Sequence, residues 1–157
     1  MRFADMRAVY AALPAALKEQ LLGVCARHTS QPRSDGKPPP WTMQPLVAQH
    51  PRTAAPLLLL PNRRDRHVDG LSEAEGAALI AELWRATDGF PERLEIPLTP
   101  NTLVLWDNIT CTHTNPAYAR APGRVVWFFN ILNSRPILPS DGSVRARSGA
   151  SILLGAC

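Results

Sequence analysis

Sixteen prolines in a chain of 157 residues set the strongest limit on its fold. Proline has no backbone N–H to donate, and it disrupts the interior of a helix or a central strand. Three prolines are consecutive at Pro38–Pro40, and elsewhere prolines accompany turn-forming residues. The pattern favours a protein of short strands and loops over a helical bundle.

Two regions are nevertheless predicted to be helical. Apolar residues recur at helical spacing over residues 3–28, and Pro14 interrupts them, so we expect a short helix, a break near Leu13 and a second helix that begins at the proline. Ser72–Glu75 has the sequence of a capping box, and Gly89 is placed to end the helix that follows it. This second region is the best helix in the sequence.

Short apolar runs separated by turn residues predict the strands. Pro45–Gln49 and Leu57–Leu60 are two such runs, and Arg93–Ile96 is a third. Two further runs, Leu103–Asn108 and Val125–Phe129, are the most apolar segments of the second half. Helices followed by short strands with one inserted helix predict an α+β fold with a mainly antiparallel sheet or barrel.

Polar residues at the ends of the last two predicted strands outline a possible site. Asp107 and Asn108 close the first strand, His113 follows that turn, and Arg124 opens the second strand. An imidazole and a guanidinium at the mouths of neighbouring strands suit a metal ion or an anion. An ordinary β-hairpin with surface polar residues is the alternative, and local sequence leaves both open.

Composition argues against several other classes of function. The net charge of +4 is spread along the chain and only 6% of the residues are aromatic, so a nucleic-acid interface is not expected. The chain has three cysteines, an odd number, and none of them forms a CxxC pair. This pattern disfavours a disulfide framework and a zinc site, and it favours a reducing cytoplasm. The N-terminal segment carries charges within its alanine-rich run, so neither a signal peptide nor a membrane span is expected.

In this order of elements the chain resembles the taurine/2,4-dichlorophenoxyacetate dioxygenase family of iron(II)- and 2-oxoglutarate-dependent oxygenases, through most of residues 3–137. The most specific part of the resemblance is the series Trp106-Asp107-Asn108, His113 and Arg124. The supporting segments are short matches at the N-terminus, around the first predicted strands and at the capping box: Phe3-Ala4-Asp5-Met6-Arg7-Ala8-Val9-Tyr10 with Leu13-Pro14, Pro45-Leu46-Val47 with His50-Pro51, and Gly70-Leu71-Ser72-Glu73-Ala74-Glu75.

The resemblance implies a fold, cofactors and an activity. Members of the family fold as a double-stranded β-helix, a jelly roll that holds iron between its sheets. By position, His113 would be the distal iron ligand and Arg124 would pair with the far carboxylate of 2-oxoglutarate. The activity implied is hydroxylation of a small organic substrate, coupled to oxidative decarboxylation of 2-oxoglutarate. Phe128 stands where taurine-oxidising members carry an arginine, which implies a substrate less charged than a sulfonate.

The resemblance also implies an incomplete barrel. The family's H-x-D ligand pair lies upstream of the segment that matches the start of this chain, so we expect the C-terminal part of the jelly roll at residues 1–139, a disordered tail at 140–157, and an isolated chain that is inactive. A non-catalytic remnant, or a split domain that binds a carboxylate or pairs with another chain through exposed sheet edges, is the alternative. His67-Val68-Asp69 is rejected as the H-x-D pair, and Asp107 is expected to hydrogen-bond its own turn.

Overall fold

The computed structural model describes residues 1–30, 34–115, 125–129 and 138–139. Three helices and eight short strands make up this part of the chain. In chain order they are β1 (Arg2–Asp5), α1 (Met6–Ala12), α2 (Ala15–Leu21), β2 (Cys25–Thr29), β3 (Trp41–Pro45), β4 (Val47–Gln49), β5 (Pro56–Leu58), α3 (Glu73–Gly89), β6 (Arg93–Glu95), β7 (Cys111–Thr114) and β8 (Leu138–Pro139).

The strands form three small antiparallel sheets, in the orders β6-β1-β7, β2-β3 and β5-β4-β8. The α+β prediction with antiparallel strands is therefore confirmed. Within the described ranges the sheets do not close into a barrel. The helices of the same ranges lack the length and apolarity that a membrane span requires.

The N-terminal region is only partly helical. The break at Leu13 is confirmed, because α1 ends at Ala12 and α2 begins at Ala15, with Pro14 in the N-cap position. The ends of the predicted helix are wrong: Arg2–Asp5 is the central strand of its sheet, and Cys25–Thr29 pairs with β3. Pairing with strands far away in sequence overrides local helical spacing at both ends.

The predicted capping box is present at the start of α3. The backbone N–H of Glu75 donates to Ser72 Oγ at 3.3 Å, and the Glu75 carboxylate accepts from the Ser72 N–H at 2.9 Å. Two otherwise unpaired helix N-terminal donors are satisfied in this way. The same helix buries Ile80 and Leu83 in the main core, with side chains from α1, α2 and β4.

The predicted hairpin at residues 45–60 is also present, with shorter strands than expected. Strand β4 pairs with β5, and Leu57 and Leu58 are fully buried. Leu59 and Leu60 lie beyond β5 and are half-buried. Leu46, between β3 and β4, is fully buried as well, and its N–H donates to the Val24 carbonyl at 2.8 Å.

Two predicted strands are not strands. Residues 103–106 and 125–129 have no ladder partner among the described residues. Leu103 is 92% exposed and Leu105 is 82% exposed, and Trp127 and Phe129 are each 80% exposed. An apolar run becomes a regular strand only when another strand pairs with it, and sequence alone does not supply that partner. The predicted tail at 140–157 lies outside the described residues.

Candidate functional site

His113 lies in the middle of β7, directly opposite Phe3 of the central strand β1. Its imidazole is half-buried, and burial lowers the pKa of His113 below its usual value. The ring is therefore neutral at physiological pH, with a nitrogen lone pair available. A neutral imidazole is the form of histidine that binds a metal ion.

An aromatic cluster surrounds this imidazole. The ring centroid of Trp106 lies 5.0 Å from that of His113 in an edge-to-face arrangement, and the Phe3 ring lies 5.9 Å away. The ring centroid of Phe128 also lies 5.9 Å from that of Trp106. The structure thus places His113 and Phe128 on the same indole ring. Contacts of this kind restrict the orientation of the imidazole.

The cavity beside His113 is small. Its volume is about 20 Å³, and its lining comes from β1, β7, Arg93 of β6 and the end of α3. That volume suffices for roughly one water molecule. The described residues therefore do not enclose space for an organic substrate at this position.

Asp107 organises the turn that leads into β7. Its Oδ1 accepts a hydrogen bond from the Ile109 N–H at 2.9 Å, and its carbonyl accepts from the Cys111 N–H at 3.0 Å. Partial burial raises the pKa of Asp107, but hydrogen bonds from the Ile109 N–H and His50 outweigh it, and the net pKa is lowered. The carboxylate is therefore ionised, and it accepts a hydrogen bond from the backbone of its own turn, as aspartate side chains commonly do.

His50 is a residue of this region that sequence reasoning missed. Its Nε2 lies 2.8 Å from Asp107 Oδ2, although the two residues are 57 positions apart. In the sequence, His50-Pro51 stands out only as one of the segments that support the family resemblance. The N–H and hydroxyl of Thr53 both lie within hydrogen-bonding distance of His50 Nδ1, but a threonine at this spacing does not by itself indicate the bond to Asp107.

The described part of the chain does not supply a complete metal site. It contains no group of three or more His, Cys, Asp or Glu side chains that could hold a metal ion. His67 and Asp69 are exposed, and their backbones hold β2 through Arg27 and Cys25. Burial raises the pKa of the Cys111 thiol, which disfavours the thiolate form that zinc requires. Among the described residues His113 therefore has no companion ligands, and an iron ion does not fit these residues alone.

The predicted anion partner, Arg124, lies outside the described residues. The arginine-rich segment 63–66 is described, and its Arg63 is occupied. Its guanidinium binds both carboxylate oxygens of Asp88, at 2.7 and 2.8 Å, and lies 4.0 Å from the centre of the Trp84 ring. This arginine therefore has a structural role at the end of α3.

Comparison with known proteins identifies a family. Residues 2–131 match the model of the family "Taurine catabolism dioxygenase TauD, TfdA family". A relative from Sphingobium herbicidovorans, an (S)-phenoxypropionate/alpha-ketoglutarate-dioxygenase, is 31% identical over 146 residues, which cover 82% of this chain and 50% of that protein. An alpha-ketoglutarate-dependent 2,4-dichlorophenoxyacetate dioxygenase from Cupriavidus pinatubonensis is 32% identical, over 74% of this chain and 44% of its own length.

Solved structures of similar proteins also superpose on this chain. A proposed alpha-ketoglutarate dependent 2,4-D dioxygenase from Burkholderia xenovorans superposes with a TM-score of 0.61 and 26% identity, over 70% of this chain and 46% of that one. AAD-2, crystallised with Mn(II) and N-oxalylglycine, superposes with a TM-score of 0.59 and 26% identity, over 70% of this chain and 47% of that one. The chain therefore spans about half the length of the relatives that it matches.

Proposed function

Because the chain belongs to the taurine catabolism dioxygenase TauD, TfdA family, we propose that it forms the C-terminal half of the active site of an iron(II)- and 2-oxoglutarate-dependent hydroxylase. The curated relatives are alpha-ketoglutarate-dependent dioxygenases of phenoxy acids, which supports a small organic substrate. The observation that carries the proposal is the neutral, half-buried imidazole of His113 on a paired strand, held by aromatic rings.

His113 is proposed as an iron ligand, with the metal present when the site is complete. A ligand must be held in a fixed orientation, and here the ring is positioned by Phe3 and Trp106. The structure of AAD-2 with Mn(II) and N-oxalylglycine supports a divalent metal and an oxo-dicarboxylate in this family. The remaining ligands would come from outside the described residues, in the jelly-roll arrangement that the resemblance implies.

Arg124 is proposed to bind the distal carboxylate of 2-oxoglutarate. A guanidinium forms two parallel hydrogen bonds with a carboxylate, and the pairing is strong when both groups are shielded from water. Phe128 is proposed to contact the substrate, because its half-exposed ring lies against Trp106. An aromatic wall at that position suits the aryl group of a phenoxy acid better than a sulfonate.

The exposed apolar residues of the second half support pairing with another polypeptide, in the simplest case a second copy of this chain. Val125 and Val126 are 73% and 61% exposed, and the neighbouring aromatic side chains are similarly open. A contiguous apolar surface of this kind marks an interaction site or an aggregation hazard. Light scattering should show a defined oligomer, and Trp127→Ser should return it to a monomer.

Anaerobic titration of the purified chain with iron(II) and 2-oxoglutarate tests the function. The complex of the two in such a site should give a weak visible charge-transfer band, and turnover with phenoxy acids, started by admitting oxygen, should give succinate and carbon dioxide. A band without turnover would support a half-site that holds the cofactors, whereas the absence of both from this chain and from a longer protein that contains it would exclude the proposed function.

Arg124→Ala in an active longer protein tests the proposed contact between Arg124 and the 2-oxoglutarate carboxylate. The 2-oxoglutarate requirement should rise steeply, because loss of a charge-assisted pair to a desolvated carboxylate costs about 2–5 kcal/mol. Arg64→Ala is the matched control, since Arg64 is an exposed arginine in the turn at residues 63–64. An equal effect of the two substitutions would show that Arg124 is not the carboxylate partner.

A further inference from the structure

The His50 imidazole is held in one tautomer. It is 7% exposed, and its Nδ1 faces the Thr53 N–H at 3.2 Å, so Nδ1 accepts that hydrogen bond. In the neutral ring the proton must then lie on Nε2. Nε2 is the atom that faces Asp107 Oδ2 at 2.8 Å. His50 therefore donates a hydrogen bond to an ionised carboxylate, which is a stronger bond than one between neutral groups.

The two oxygens of Asp107 have different partners. Oδ2 is bound by His50, from the loop after β4, while Oδ1 is bound by the Ile109 N–H within its own turn. The Asp107 carbonyl accepts from the N–H of Cys111, the first residue of β7. His113 follows two residues later. Asp107 thus connects the buried His50, in the loop of the β4–β5 hairpin, to the strand that carries the proposed ligand.

The opposite side of the same turn is fixed by α1. The Met6 N–H donates to the Thr110 carbonyl at 2.8 Å, and Asp5 pairs with Cys111 in the sheet. The turn is therefore held from two directions, by the start of α1 and by His50. On its other side the turn is held by the bond from His50 and by Ile109, which packs against Ala48 and Leu57 of the β4–β5 hairpin.

We propose that His50 is a positioning residue for His113, acting through Asp107 and the turn at residues 107–110. The functional meaning rests on the proposed role of His113 as a ligand. Small displacements of a reacting group are costly: about 1 Å can lower a rate by about 10²-fold. The positional claim itself needs neither iron nor 2-oxoglutarate, so it can be tested separately from the function.

The chemical shifts of the His113 ring protons provide the test, measured at a pH where the imidazole is neutral. Aromatic rings on two sides of His113 displace these resonances, so the shifts report its position. His50→Leu should change these shifts measurably, whereas methyl resonances of the core residue Leu83 should stay in place. His50→Gln, which restores an N–H donor near the position of Nε2, should recover the His113 shifts.

Asp107→Asn is a second variant in case His50→Leu does not fold. An asparagine can keep the Oδ1 bond with Ile109 while it directs an NH₂ group at the Nε2–H of His50, so the turn remains and only the long-range bond is lost. Asp69→Asn, at an exposed carboxylate, is the matched control.

Displaced His113 shifts in Asp107→Asn or His50→Leu, with recovery in His50→Gln and no change in Asp69→Asn, would support the proposal. Unchanged His113 shifts in Asp107→Asn, or no recovery in His50→Gln, would overturn it. Neither outcome depends on activity. A failure to bind iron would count against the proposed function and leave the positional result standing.

Discussion

Gly76 of α3 packs directly on the backbone of Arg66. A Cβ built at Gly76 would lie closer than 3.0 Å to the Arg66 carbonyl oxygen, and 3.3 Å from both the backbone nitrogen and a methyl group of Val68. Residue 76 must therefore be glycine for the first turns of α3 to approach the segment at residues 66–68. Val68 is itself buried in the core that α3 covers.

Gly76→Ala should destabilise the protein. The added methyl meets a backbone oxygen that cannot rotate away, and overpacking of this kind costs about 1–3 kcal/mol. Gly89→Ala is the matched control in the same helix, because nothing lies within 4 Å of a Cβ placed at that residue and helix propensity favours alanine by about 1 kcal/mol at most. Urea unfolding of both variants measures the difference. Equal stability would mean that α3 does not make this contact.

Leu83→Ala should lower the free energy of unfolding by about 2–5 kcal/mol, because the side chain is fully buried and its removal leaves a cavity. Leu103→Ala should change it by less than about 0.5 kcal/mol, since Leu103 is 92% exposed. Chemical denaturation at one protein concentration gives both values. A large effect at Leu103 would show that another strand covers this segment.

Ser72→Ala should lower the free energy of unfolding by about 1 kcal/mol, because the Ser72 hydroxyl accepts a hydrogen bond from the Glu75 N–H in the first turn of α3. The Glu75 carboxylate accepts the reciprocal bond from the Ser72 N–H, which completes the capping box. Ser34→Ala, in an exposed turn, is the control. Thermal unfolding of the two variants provides the measurement, and a common melting temperature would show that the capping box contributes nothing.

His28 should make stability fall as the pH drops from about 6.5 to 4. Burial lowers the pKa of His28 from 6.5 to about 4, and the charge of Asp65 only partly offsets this effect. Between pH 6.5 and about 4 the unfolded chain binds a proton that the folded protein does not, so the free energy of unfolding falls by up to about 3 kcal/mol. The loss is absent above pH 7 and complete near pH 4.

Urea unfolding at several pH values tests this dependence. His28→Leu should flatten the curve between pH 4.5 and 6.5, while His67→Leu, at an exposed histidine, should leave its slope unchanged. Burial also lowers the pKa of His113, which adds a slope of the same sign to every variant. If His28→Leu kept the wild-type dependence of stability on pH, His28 would not be its source.

Local signals in the sequence predicted the elements that local interactions determine. The capping box at Ser72 and the proline break after Leu13 act within one turn of helix, and both are present in the structure. The ends of the predicted N-terminal helix are wrong because Phe3 and Ala26 are strand residues, and their partners Leu94 and Gln44 lie 91 and 18 positions further along the chain. Helical spacing does not reveal such partners.

The candidate site divides in the same way. His113 could be selected from the series Trp106, Asp107 and His113, and its aromatic surroundings followed from tertiary structure. Asp107 could be assigned to its turn because that hydrogen bond spans two residues. Its second bond, to His50, spans 57 residues and could not be predicted from local sequence.

The sequence by itself determined where the N-terminal helix breaks and which helix is capped, because proline and capping side chains act through their own covalent structure. Only the tertiary structure decided which apolar runs become strands and which stay exposed, and which side chains hold His113 in place. Strand pairing and burial depend on partners distant in sequence, and a linear pattern does not specify those partners.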